Sequence, residues 1–184
     1  MPALNTVRPH RPHTPTLAAL LVASSLLAAV PAAHAEGRRV LRPNAAGGTT
    51  ATRLAGRQGP EGGRFGAARG VATDGRGNVV AGSASRLHGP AGGLAQRAGR
   101  TQVHADGSAQ HQGTLSASNA RGSLQSTGNA TRSADGTVEA SRSSSATQAT
   151  TGNSVQRSTQ YSSSTGLTHS ATCFDASGAT IACR

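Results

Sequence analysis

The sequence predicts an all-β chain of repetitive antiparallel hairpins, folded as a meander or a thin solenoid, behind a helical signal peptide and a disordered stretch. Three observations predict it. Glycine-centred turn signals recur at intervals of mostly 13 to 17 residues. Large apolar side chains are too few to build a packed globule. When two segments are paired about such a turn, small residues collect on one face and hydroxyls and amides on the other.

Residues 1–35 read as an export signal. Arg8 and Arg11 precede an uninterrupted run, LAALLVASSLLAAV from Leu17 to Val30, which Pro31 ends. Ala33-His34-Ala35 then offers the small-x-small pattern of a signal-peptidase site, which places cleavage after Ala35. A bilayer span needs about 20 apolar residues, so this run is too short for an anchor. No Cys follows it to carry a lipid and no second long apolar stretch occurs, so no integral span is expected after cleavage. The product is expected to be exported, to the periplasm, the cell surface or the medium.

Composition bounds the remaining chain, 36–184. Val, Leu, Ile and Phe supply 17 of its 149 residues. A content below about 20% with sizeable net charge generally marks a chain that cannot bury a core. It holds 16 Arg, no Lys and 7 acids, a net +9 with His neutral. Guanidinium groups stay charged at any relevant pH and pair with carboxylates and phosphates in bidentate fashion. Such charge suits acidic polymers as partners; it equally suits a solvated, self-repelling surface. The Arg are dispersed along the sequence, and Tyr161 is the only Tyr in a chain without Trp, so stacking platforms for nucleic acid are missing.

Residues 36–58, mainly GRRVLRPNAAGGTTATRLAGRQ, lack alternation and are expected to be a disordered linker. From 59 to 184 a hairpin-repeat region is expected. Gly59-Pro60-Glu61-Gly62-Gly63 and Gly89-Pro90-Ala91-Gly92-Gly93 begin 30 residues apart, which sets a unit of about that length. Asp74-Gly75, Asp106-Gly107, Asp135-Gly136, Gly166 and Gly178 mark further reversals. Ala-Asp-Gly occurs at 105–107 and 134–136, and Thr73-Asp74-Gly75 is a near copy, with the Asp at intervals of 32 and 29. A composition dominated by Gly, Ser, Ala, Thr and Arg also suits a chain that stays solvated throughout. Periodic turn chemistry and segregated faces favour order.

The stretch 123–147 carries the hairpin argument. With Ala134-Asp135-Gly136 as a three-residue loop, a type I turn ends on Gly136 at positive φ, a conformation glycine adopts cheaply. The Asp135 carboxylate can accept from nearby backbone amides. Ser133 then faces Thr137, and partner numbers sum to 270. One face gathers Leu124 with Ala146, Ser126 with Ser144, Gly128 with Arg142, Ala130 with Ala140 and Arg132 with Val138. The other holds only Gln, Thr, Asn, Ser and Glu139. Around Ala105-Asp106-Gly107 one face likewise collects Ala95, Gly99, Val103, Ala109, Gly113, Leu115 and Ala117.

The tail closes the repeat region. Cys173 and Cys183 flank Ala176-Ser177-Gly178, and in an oxidising compartment such a pair reads as a disulfide across a short hairpin. Two free thiols are the alternative; a metal site would need further ligands nearby.

Catalytic patterns are sparse. His88, His104, His111 and His169 show no metal-ligand spacing, and His104 and His111 fall on opposite faces. No GxSxG elbow is present, and a Walker loop would require Lys. Asp74-Gly75-Arg76-Gly77-Asn78 resembles part of a calcium-binding GGxGxD repeat but lacks the second Gly and the following acid. No enzyme, cofactor, metal or small-molecule substrate is expected.

SRSSSATQATTGNSVQRSTQYSSSTGLTHSATCFDASGATIAC resembles a group of exported bacterial proteins rich in Gly, Ser and Thr that end in a Thr-Cys, Asp, Gly and final Cys pattern. The resemblance covers about residues 120–184 and implies a secretory context with no assigned activity. Gln148, Gly152, Asn153 and Gln156 are weakly similar to the ladders of curli-type fibre subunits, at a departing spacing, and no fibre-forming residue carries over. The expectation is therefore a structural or surface-associated β-repeat protein that partners itself. The alternative is an Arg-mediated binder of acidic polymers: nucleic acid, anionic glycan or envelope phosphate.

Overall fold

The computed structural model describes residues 36–183; the expected signal segment, with its expected cleavage at Ala35, lies outside the described residues. Eleven strands follow in chain order: β1 (Glu36–Pro43), β2 (Thr49–Gln58), β3 (Arg64–Thr73), β4 (Val79–His88), β5 (Leu94–Val103), β6 (Ala109–Asn119), β7 (Gly122–Arg132), β8 (Val138–Gln148), β9 (Ser154–Ser162), β10 (Gly166–Phe174) and β11 (Thr180–Ile181). They form one antiparallel sheet whose order in space is their order in sequence. Each strand touches only its sequence neighbours. The fold is thus the open meander, not the solenoid.

The repeat has a simple arithmetic. Strands β2 to β5 are each ten residues long, and the loops between them occupy 59–63, 74–78 and 89–93. Two strands and two loops make the unit of 30. Asp74 and His104 open loops at one end of the sheet and Ser133 opens the next, because their N–H groups donate to Asn78, Ser108 and Thr137 carbonyls at 3.3, 2.9 and 2.9 Å. Those starts are 30 and then 29 apart. Asp106 and Asp135 stand third in their loops, whereas Asp74 stands first, so the Thr-Asp-Gly near copy is out of phase. That offset produces the interval of 32.

The loop geometry follows from its residues. The Gly136 N–H donates to the Ser133 carbonyl at 3.0 Å with Gly136 at φ 90°, and the Thr137 N–H donates to Asp135 Oδ1 at 2.8 Å. Register runs from Gly122 opposite Gln148 to Arg132 opposite Val138, summing to 270 as expected. The β5–β6 pair places Ala95 opposite Ala117 and Val103 opposite Ala109, again the expected set.

Residues 36–58, expected to be disordered, instead form β1 and β2. Arg39 pairs with Arg53 and Leu41 with Ala51 in the first hairpin, and β2 pairs with β3 from Thr50 to Gln58. The two strands show weak alternation because Arg, Thr and Leu occupy both faces. Their order comes from backbone pairing on an existing edge, a signal that side-chain periodicity does not carry.

From β6 to β9 the faces stay segregated through two changes of parity. Apolar residues of β5 and β6 on the Leu115 face carry odd numbers. The two-residue loop at Ala120-Arg121 joins Asn119 to Gly122 and shifts that face to even numbers, Leu124 and Ala130 among them. Between β8 and β9 the parity returns to odd, with Val155 opposite Ala146. A slip by one residue at either loop would scatter the apolar set across both faces.

Among the described residues no apolar side chain is buried, and Ser126, at 6% exposure, is the only buried residue. A single layer has no second surface to pack on. Leu41 and Leu167 remain 63% and 65% exposed. Shape is therefore set by ladder hydrogen bonds and loop chemistry.

Candidate interaction surfaces

Alternation along each strand and the register between strands assign every strand side chain to a face. Among the described residues one face carries Arg39, Arg53, Arg57, Arg69, Arg97, Arg132, Arg142 and Arg157 and no acid. Arg39, Arg53 and Arg69 stand directly opposite one another on β1, β2 and β3. Neighbouring strands lie about 4.8 Å apart, so three guanidinium groups share one short row. Like charges in direct opposition destabilise a sheet unless a counter-charge meets them. Ser83 and Gly99 continue the row on β4 and β5.

The same face holds an apolar row near one end of the sheet. Phe65, Leu87, Ala95, Ala117, Leu124, Ala146, Val155, Cys173 and Ile181 follow one another from β3 to β11. The Arg57 guanidinium lies 5.4 Å from the centre of the Phe65 ring, a cation–π contact. We call this surface the arginine face.

The opposite surface differs along its length. From β6 to β9 it presents Ser, Thr, Gln and Asn, with Glu139 its one acid. Ser141 donates to Asn129 across the β7–β8 pair. This hydroxyl face carries Arg38, Arg42, Arg64, Arg86 and Arg100 only on β1, β3, β4 and β5.

One polar knot sits on the arginine face. The Arg142 Nε donates to Ser126 Oγ at 2.9 Å, and Ser126 Oγ lies 2.8 Å from Ser144 Oγ and 3.1 Å from the Ser143 carbonyl. The arginine folds across its neighbour and covers the one buried residue.

The loops hold four aspartates whose carboxyls all sit below the ordinary range. For Asp74 the cause is first the Asn78 side chain and then the Arg76 N–H; for Asp106 it is the Ser108 hydroxyl and amide. The Thr137 N–H does the same for Asp135, and the Ser177 hydroxyl, 2.7 Å away, for Asp175. Adjacent loops are also stitched together. Asn78 Oδ1 accepts from the Ala105 N–H at 3.1 Å, Asn44 Nδ2 donates to the Thr73 carbonyl at 2.8 Å, and the Ala149 N–H donates to the Arg121 carbonyl at 2.9 Å.

The sequence-derived positions fall as follows. Gly75, Gly107, Gly136, Gly166 and Gly178 all take positive φ in loops or at their ends. Cys173 and Cys183 are bonded, with Cα atoms 5.3 Å apart, around the loop Asp175–Ala179. That bond suits an oxidising environment. His111 Nδ1 lies 2.8 Å from Thr101 Oγ1; His104 opens a loop, and His88 and His169 sit on β4 and β10. Among the described residues no group of three or more His, Cys, Asp or Glu could hold a metal ion.

The row Arg39-Arg53-Arg69 and the loop ties of Asn44 and Asn78 were missed by sequence reasoning. Had residues 36–58 been paired at the same 30-residue phase, Asn44 would have fallen 30 before Asp74 and the row would have followed. No family model, no curated protein and no solved structure matches the chain.

Proposed function

We propose that the chain is an exported, non-enzymatic structural protein, associated with the cell surface or envelope, whose sheet self-associates. The observation that carries this is an eleven-stranded sheet with no buried apolar side chain among the described residues. A sheet open on both faces gains little from the hydrophobic effect alone, which supplies about 25 cal/mol per Å² of apolar area removed from water. Covering a face adds that missing term, while pairing an edge adds ladder hydrogen bonds, for which unpaired strand edges are ready-made templates. The disulfide supports export. Oxidised 36–184 is expected to sediment with a concentration-dependent mass and to show assemblies by electron microscopy. A monomer at every concentration would overturn the proposal.

A second function draws on a separate observation. The acid-free arginine face, with Arg39, Arg53 and Arg69 in direct opposition, suits acidic polymers. Retention on heparin or DNA should fall steeply with salt, and replacing the three by Gln should lower the salt slope by up to about 1 per Arg. Equal retention of wild type and the triple variant would exclude that row as the site.

A further inference from the structure

We propose that the free edge of β10 pairs antiparallel with β10 of a second copy about a two-fold axis at His169. The inference rests on the self-association proposed above and specifies its surface.

The two edges of the sheet differ. Strand β11 covers only Cys173 and Phe174, and among the described residues no other strand lies on that side of Gly166–Thr172, which is exposed along its length. At the other edge lies β1. The direction of each backbone group follows from the loops, because inward-facing and outward-facing residues alternate along an antiparallel strand. The Asp175 N–H donates to Ala179, so the odd residues of β10 face the β11 side, and Leu167, His169 and Ala171 present their N–H and C=O groups outward. On β1 the Asn44 N–H donates inward to Gly48, which leaves the odd residues Gly37, Arg39, Leu41 and Pro43 facing out. Pro43 stands at an outward position, where a proline forfeits no bond within the sheet.

Those facts make β1 a guarded edge and β10 an open one. Strand β1 carries Arg38, Arg39 and Arg42 and offers no donor at Pro43. Two copies of β1 laid antiparallel would set Arg against Arg. The exposed part of β10, Gly-Leu-Thr-His-Ser-Ala-Thr, has no Arg, Asp, Glu or Pro. Laid against itself with His169 opposite His169, it places Leu167 opposite Ala171 at both ends, and all these pairs are of the hydrogen-bonded kind. Strand β11, held by the disulfide, stops the register from sliding further. A second copy is the occupant that fits, because the edge is complementary to itself. The axis stands normal to the sheet, so the arginine face continues across the junction.

Sedimentation velocity and far-UV circular dichroism on oxidised 36–184 test this with three variants. Ala171→Pro removes one outward N–H and leaves the β9 ladder intact; His169→Lys keeps the N–H and sets two charges at the axis. Each should weaken dimerisation at least tenfold with an unchanged spectrum, and Leu41→Pro on the opposite edge should leave it unchanged. His169→Cys should give a covalent dimer on oxidation, since hydrogen-bonded pairs hold Cα atoms about 5.5 Å apart, within disulfide reach. Wild type that assembles while Ala171→Pro and His169→Lys assemble equally overturns the β10 edge and leaves self-association standing. Loss of assembly in Leu41→Pro alone assigns the contact to β1 and overturns the proposal. A wild-type monomer at all concentrations removes both.

Discussion

Alanine at position 136 should destabilise the sheet by about 1 to 2 kcal/mol, the usual cost of placing a side chain at positive φ. Gly136 sits at φ 90°, and a Cβ there would meet no atom within 4 Å, so conformation is the whole cost. Position 122 combines two penalties. Gly122 has φ 155°, and its Cβ would lie 2.1 Å from the Thr147 carbonyl oxygen and 3.2 Å from its carbon. Both obstructing atoms are backbone, so β7 and β8 must separate at the Gly122–Gln148 end. Gly122→Ala is therefore expected to cost about 3 kcal/mol or more, the range of an over-determined backbone site combined with a broken pair. Urea unfolding of oxidised 36–184, followed by circular dichroism at one fixed protein concentration, measures both. Fixing concentration matters because association shifts the midpoint. Amide exchange should show the Gly122→Ala damage centred on β6, β7 and β8. If Gly136→Ala is neutral, or Gly122→Ala costs no more than Gly136→Ala, the loop conformation or the register at 122 is wrong.

Other outcomes follow from the loops and the tail. Reducing Cys173–Cys183 should cost about 3 kcal/mol by the chain-entropy model, read as faster exchange at Cys173 and Ile181 with β2 to β8 unchanged. The four loop aspartates have folded-state values below their unfolded ones, so their contribution is complete above about pH 4 and is lost as pH falls through the folded values. Stability measured across that window should decline with acid, and Asp106→Asn with Asp135→Asn should flatten the decline. Asn78→Ala removes both the bond from the Ala105 N–H, worth about 1 kcal/mol, and the bond to the Asp74 carboxylate, so exchange should quicken at the Ala105 amide and the Asp74 carboxyl should rise toward its ordinary value.

Much of the C-terminal half was legible because one loop type fixes everything after it. Once Gly136 is given positive φ and Asp135 its amide partner, the pairing from Ser133–Thr137 outward has no freedom left. The Cys pair and its intervening turn carried their geometry in the same way. The N-terminal hairpin was hidden because Arg, Thr and Leu blur the faces of β1 and β2, and what orders them is the edge of β3. Asp74 misled for a related reason. Its triplet imitates the loop of Asp106, yet in its loop it stands first, a position fixed by the backbone bond to Asn78. The arginine row could be seen only after that phase was known, since Arg39, Arg53 and Arg69 are dispersed in sequence and adjacent only in register.

Contacts confined to neighbouring strands give the molecule a modular economy. A tandem duplication or loss of 30 residues between two loops of like phase, such as those opened by Gly59 and Gly89, would widen or narrow the ribbon by one hairpin and leave every other junction untouched. Its width, about 4.8 Å per strand, is then a quantity that unequal recombination can adjust in steps while the closing disulfide and the bare rim beside it stay as they are.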